Sequence, residues 1–257
     1  MDLGIKNQLF IVTGATSGLG RAVLERLTSE GAEVIAVARR KELLEEIQRE
    51  NRGVTAILAA DVTEQGVTEK LISMVEDREL HGVFVNAGGP PAMTIDETEI
   101  SDWDRGYRLL IRWKIDLVLR LLPKFSEKGY GRILFSESSS IKQPVENLVL
   151  SNSLRMTIAG FSKSLAQEYA TAGITSNLIA PGYHNTKAVE RLYVKKSEKE
   201  GISIEEARKK VEERIPMGRA GDPGDFASLA CWLLSPLSQF VTGQVYALEG
   251  GAVKGTL

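Results

Sequence analysis

With 257 residues, 43% hydrophobic and 26% charged, the chain is long enough to bury one sizeable core and has an ordinary globular composition. A formal net charge of −2 gives no electrostatic reason to expect nucleic acid or an anionic membrane as partner. The single cysteine, Cys231, excludes an internal disulfide and a cysteine-based metal cluster. No apolar run approaches membrane-spanning length, and Met1-Asp2-Leu3-Gly4-Ile5-Lys6 lacks a signal-peptide pattern, so a cytoplasmic protein without a metal site is expected.

The first element is the apolar run Leu9 to Thr13, a buried strand ending in Gly14, Gly18 and Gly20, with helix formers following from Arg21. Such a turn gathers backbone N–H groups at a helix N-terminus, where phosphate binds. The spacing is G-x-x-x-G-x-G rather than G-x-G-x-x-G, and a plain strand–helix turn is the bland alternative. Gly31 ends the helix, and Glu33 to Ala38 makes a second strand with Arg39 and Arg40 at its end. A charged helix spans Lys41 to about Asn51, and a third strand, Val54 to Ala60, ends in Asp61-Val62. A helix over about Glu64 to Glu79 precedes a fourth strand, Gly82 to Val85, which ends in Asn86-Ala87-Gly88-Gly89. His81, just before it, reads as a surface residue.

A long helix covers about Thr98 to Phe125, and the fifth strand, Gly131 to Phe135, ends in Ser136-Glu137-Ser138-Ser139-Ser140. Another helix spans about Ser151 to Ala172, and a sixth strand, Ile174 to Ile179, ends in Pro181-Gly182. The charged segment 183–217, with helical patterning around Ile204 to Arg214, reads as a substrate lid. Asp222-Pro223 caps a further helix, and Gln244 to Leu248 is the seventh strand.

Short apolar strands alternating with helices predict a single α/β domain over 1–257, a Rossmann-type, doubly wound, parallel seven-stranded sheet with helices on both faces. Ligands of such sheets bind beyond the carboxyl ends of the strands, where Gly14, Arg39, Asp61 and Asn86 would converge.

These motifs resemble the short-chain dehydrogenase/reductase superfamily, especially its β-ketoacyl-carrier-protein reductase and glucose dehydrogenase-like branch. The resemblance runs from about Lys6 to Gly255. It rests on Thr13-Gly14-x-x-x-Gly18-x-Gly20, Asp61-Val62, Asn86-Ala87-Gly88, Gly160 to Ala170, Pro181-Gly182-x-x-x-Thr186 and Leu248-Glu249-Gly250-Gly251. It implies a nicotinamide dinucleotide held by Gly14, Thr16, Ser17, Gly18, Leu19 and Gly20, with Asp61 and Val62 beside the adenine. Asn86, Ala87 and Gly88 would support the cofactor, and Pro181, Gly182 and Thr186 would lie near the nicotinamide. Arg39 and Arg40 stand where a carboxylate would select NAD, and arginine matches a 2′-phosphate in charge and fork geometry, so NADP(H) is favoured. The resemblance also implies a homotetramer or homodimer through the long helices from Thr98 and Ser151.

The family's chemistry normally needs a tyrosine, a lysine one turn later, a serine and an asparagine. Counting back from Gly160 to Ala170 puts the tyrosine position at Ser151 and the lysine position at Arg155. The asparagine position falls on Leu110, and the serine is Ser138, with Ser139 as rival. An aliphatic hydroxyl is a far weaker acid than a phenol, and an arginine keeps its proton, so neither can relay one. Arg155 could still bond ribose hydroxyls or stabilise an oxyanion. Tyr183 and His184 are candidates for a replacement proton path. Glu137, Lys114 and Arg155 could form a buried charge cluster, but Lys114 reads better as reaching the surface.

Three functions remain open at this stage. One is an NADP(H)-dependent oxidoreductase on a small carbonyl or alcohol with a rebuilt proton path. The others are a dinucleotide-binding protein without dehydrogenase activity and a non-redox enzyme on the same fold. The substrate itself is not legible.

Overall fold

The computed structural model describes residues 1–256. Seven strands form one sheet: β1 (Leu9–Thr13), β2 (Glu33–Ala38), β3 (Val54–Ala59), β4 (Leu80–Val85), β5 (Gly131–Ser136), β6 (Ile174–Pro181) and β7 (Val245–Leu248). Their order is β3-β2-β1-β4-β5-β6-β7, and every pairing is parallel. The order reverses between β1 and β4, which opens a crevice at the carboxyl ends of those two strands.

Period-two alternation distributes the strand side chains between two apolar layers. Ile11, Ile35, Val83 and Ile133 face one layer, whereas Phe10, Val34, Phe84 and Leu134 face the other. The first layer is covered by α3 (Val67–Ser73), α5 (Trp113–Lys128) and α6 (Val149–Tyr169), through Leu71, Leu117, Leu121 and Ile158. The second is covered by α1 (Gly18–Ser29), α2 (Lys41–Glu50) and α9 (Pro223–Leu234), through Val23, Leu44 and Phe226. The expected doubly wound arrangement is therefore observed.

Several local expectations need correction. The helix expected over 64–79 shrinks to α3, because Gly66 stands at its N-cap in a left-handed conformation and turns follow Ser73. The long helix is interrupted: α4 (Ile100–Tyr107) passes into a π-helical turn at Arg108–Arg112 before α5 begins. Such wide turns recur at functional sites. Residues 183–217 contain two helices, α7 (Lys187–Glu200) and α8 (Ile204–Glu212), and only the second was expected. His81 is not a surface residue. Its Nδ1 accepts a 3.2 Å hydrogen bond from the Leu9 N–H at the base of the sheet.

Candidate active site

The β1–α1 turn is built to admit an anion. Gly14 has φ +67°, and a side-chain carbon there would sit 2.5 Å from Asn86 Nδ2. A side-chain carbon on Gly20 would approach the Gly14 carbonyl oxygen to 2.2 Å, so the helix can pack this closely only on glycine. Ser17 is the N-cap of α1 but makes no capping bond through its side chain, and no acidic residue stands in the first turn. The leading amides of α1, through Leu19, are thus left for an outside acceptor. Thr13 Oγ1 bonds the backbone of Asn86, at 2.7 Å from its N–H and 2.8 Å from its carbonyl, which ties the ends of β1 and β4 together.

The two arginines after β2 separate in role. Arg40 Nη2 donates to the Thr16 carbonyl and Oγ1 at 3.2 and 2.9 Å, so its guanidinium lies on the glycine turn. Arg39 Nη1 lies 3.8 Å from Asp61 Oδ2. Burial raises the Asp61 pKa, but hydrogen bonds from the Thr63 N–H and hydroxyl, with Arg39 nearby, outweigh it and hold the carboxyl below its usual range. Val62 follows, half-buried against the core. These residues line the same strand edge as Ala87 and Gly88 and, across the crevice, Pro181, Gly182 and Thr186. The Thr186 methyl lies against Gly18, and its hydroxyl caps α7.

The other half of the crevice holds a buried charge cluster. Glu137 follows β5 with a fully buried side chain, and both carboxylate oxygens are used. Lys114 Nζ donates to Oε1 at 2.5 Å, and Arg155 Nη1 donates to Oε2 at 2.8 Å. The Lys114 side chain is 1% exposed and that of Arg155 is 7% exposed. Lys114 therefore does not reach the surface as expected: it lies on the same buried side as Leu110, and the Glu137 carboxylate takes its ammonium there. Burial pulls the Lys114 ammonium below its ordinary pKa, while the Glu137 carboxylate opposes that shift.

The cluster continues through hydroxyls. Arg155 Nε donates to Ser151 Oγ at 3.1 Å, and Ser151 Oγ lies 3.4 Å from Ser140 Oγ. Ser138 Oγ accepts the Ser140 N–H at 3.1 Å, which leaves its own proton free to donate. Leu110 is fully buried in the core and offers no polar group. The crevice walls are fastened to each other: Val149 N–H donates to the Met93 carbonyl, and the Asn152 amide bonds both backbone groups of Val145.

His184 does not join this group. It is buried with its Nδ1 3.2 Å from the Gly182 carbonyl and its ring edge-on to Phe226, 5.9 Å between centroids. Burial pushes its pKa down. The ring packs the start of the 183–217 segment on the core, away from the Glu137 cluster. Tyr183 stays half-buried, and its hydroxyl has no hydrogen-bond partner among the described residues. The Glu137–Lys114–Arg155 cluster was one of two readings the sequence allowed, and the surface reading of Lys114 was the one preferred; the contact of Ser140 with Ser151 carried no sequence signal.

Comparison with known proteins gives a consistent result. The family model described as enoyl-(acyl carrier protein) reductase matches residues 14–253. The 3-oxoacyl-(acyl-carrier-protein) reductase FabG of Aquifex aeolicus is 27% identical, with 98% of this chain and 99% of that protein aligned. The L-sorbose reductase of Gluconobacter frateurii, solved with NADPH and L-sorbose, superposes with a TM-score of 0.93 at 27% identity, covering 99% and 100% of the two chains. An actinorhodin polyketide ketoreductase variant solved with NADPH gives 0.90 at 29% identity, covering 97% and 98%.

Proposed function

The chain belongs to the short-chain dehydrogenase/reductase superfamily, a family of oxidoreductases, and from that premise we propose that it is an NADP(H)-dependent oxidoreductase acting on a small carbonyl or alcohol. The observation that carries this reading is the open phosphate cradle at Gly14 to Gly20 with Arg40 seated on Thr16. NADPH, as bound by the sorbose and polyketide ketoreductases, would supply the hydride.

In this reading Gly14, Thr16, Ser17, Gly18, Leu19 and Gly20 hold the pyrophosphate, and Arg39 and Arg40 the 2′-phosphate. Asp61 and Val62 flank the adenine. Asn86, Ala87, Gly88, Pro181, Gly182 and Thr186 enclose the nicotinamide end, with Arg155 beneath Gly89. The Ser138 hydroxyl donates to the substrate oxygen, and the free end of the Arg155 guanidinium faces the bound substrate. The proton reaches that oxygen from Tyr183 or water, since Ser151 and Arg155 cannot release one. Residues 183–217 act as the lid of a single domain. The protein works in the cytoplasm, where its buried free Cys231 needs no partner, and assembles as a homotetramer or homodimer through α5 and α6.

The closest competing reading, a dinucleotide-binding protein without dehydrogenase activity, draws on one observation: Ser151 and Arg155 are locked into a buried network. Calorimetry with NADPH and NADH, followed by NADPH consumption over a panel of ketones and aldehydes, separates the two. Binding of NADPH at least ~10-fold tighter than NADH, lost in an Arg39→Ser/Arg40→Ser double variant, and turnover that drops ~10²–10⁴ in Tyr183→Phe support the proposal. Tight binding with no turnover on any carbonyl gives the binding protein instead.

A further inference from the structure

The buried cluster sets two basic side chains against one acid. Lys114 and Arg155 share the single carboxylate of Glu137, and both of its oxygens are already taken. Asp and Glu side chains elsewhere make no ion pair with either cation among the described residues. Arg155 keeps its proton, so its guanidinium stays charged in a site largely closed to water, where each of its donors needs an acceptor.

The Arg155 fork shows where a further acceptor would lie. Nε is held by Ser151 and Nη1 by Glu137, whereas Nη2 makes no hydrogen bond to any described residue. Nη2 lies beneath Gly89, 3.3 Å from where a side-chain carbon would stand on that residue, and Gly89 itself is exposed at the crevice mouth. The free end of a fixed guanidinium thus faces the space where the substrate enters. A ribose hydroxyl can take one Nη2 proton and leaves the second free. Arginine held at two of its three nitrogens recognises a carboxylate with little further loss of side-chain freedom.

We propose that the substrate carries a carboxylate close to its reacting carbon, an oxo acid or hydroxy acid, and that the outer Nη2 of Arg155 binds that carboxylate. This rests on the reductase reading above and names the substrate class of the same site. Glu137 and Lys114 are positioning residues in it: they hold the guanidinium and do not touch the substrate.

The test uses redox-inert acids against their neutral amides, so it reads binding and not turnover. Full-length protein saturated with NADPH is titrated calorimetrically with oxamate and oxamide, malonamate and malonamide, and benzoate and benzamide. At least one acid is expected to bind ~10-fold or more tightly than its amide, the size of a charge-assisted contact. Arg155→Lys keeps the charge and a partner for Glu137, so it should stay folded by circular dichroism while that preference falls below ~3-fold. Equal binding of acid and amide in all three pairs overturns the proposal and leaves the reductase reading standing. A preference that survives in Arg155→Lys overturns it as well. Failure of NADPH to bind would instead sink the reductase reading, and the same titrations on the protein alone would still report on Arg155.

Discussion

A lysine, a glutamate and an arginine buried together depend on one another unequally. Glu137 is the common partner, so its loss leaves two cations without an acceptor, whereas loss of Lys114 leaves the Glu137–Arg155 pair intact. Glu137→Gln should therefore cost about 3–5 kcal/mol in urea denaturation, and Lys114→Met clearly less. The reverse order would show that the cluster is not organised around the acid. The two histidines give a second residue-scale expectation. Burial lowers the pKa of His184 and, with Lys128 nearby, of His81. Unfolded, each takes up a proton near pH ~6.5; folded, each resists until lower pH. The unfolded state then binds more protons as pH falls, so stability declines from about pH 7 to pH 5. His184→Phe should flatten that slope in melts across the window, and an unchanged slope would refute the role of the ring. At this scale Ser151 and Arg155 were found by counting from the Gly160 to Ala170 segment. The fate of His184 was not legible, because nothing local announces that Phe226, 42 positions away in the chain, packs against its ring.

Elements were legible where their ends carried chemical signals. The Asp222-Pro223 start of α9 is realised as a capping box with Asp225, and the strand–glycine–helix start is realised as β1 and α1. Where the signal was a fluctuating apolar pattern, the reading failed: α3 came out short, α7 was missed, and the π-helical turn was invisible. Periodicity cannot reveal a single wide turn. The α1 start also carries a prediction. Gly20→Ala would place a carbon against the Gly14 carbonyl, a backbone atom that cannot swing away. The turn must open, so NADPH affinity should fall by ~10-fold or more in calorimetry while the far-ultraviolet dichroism persists. Unaltered affinity would mean that the turn does not hold the cofactor.

At the scale of the whole molecule, alternation of strands and helices was enough for a parallel, two-faced sheet. Where the order reverses, between β1 and β4, was not contained in any local pattern. The proposed subunit contact belongs here too. Leu119 on α5 is 53% exposed and Met156 on α6 is 50% exposed, an apolar face that a second copy would cover. A Leu119→Glu/Met156→Glu variant should give a smaller species than the parent chain by light scattering. Equal masses would remove α5 and α6 from the assembly.

The bond from the Leu9 N–H to His81 has a consequence at the far end of the sheet. It sits where the pairing of β1 with β4 slips between Leu9 and Phe10, so a side-chain nitrogen stands in for a main-chain acceptor at that irregularity. A shift of β1 by one residue would exchange Ile11 and Val12 between the two apolar layers. It would also carry Gly14 away from Asn86, on which the phosphate turn leans. One imidazole at the foot of the sheet thus takes up the main-chain donor at the slip, in the strand whose upper end carries the cradle.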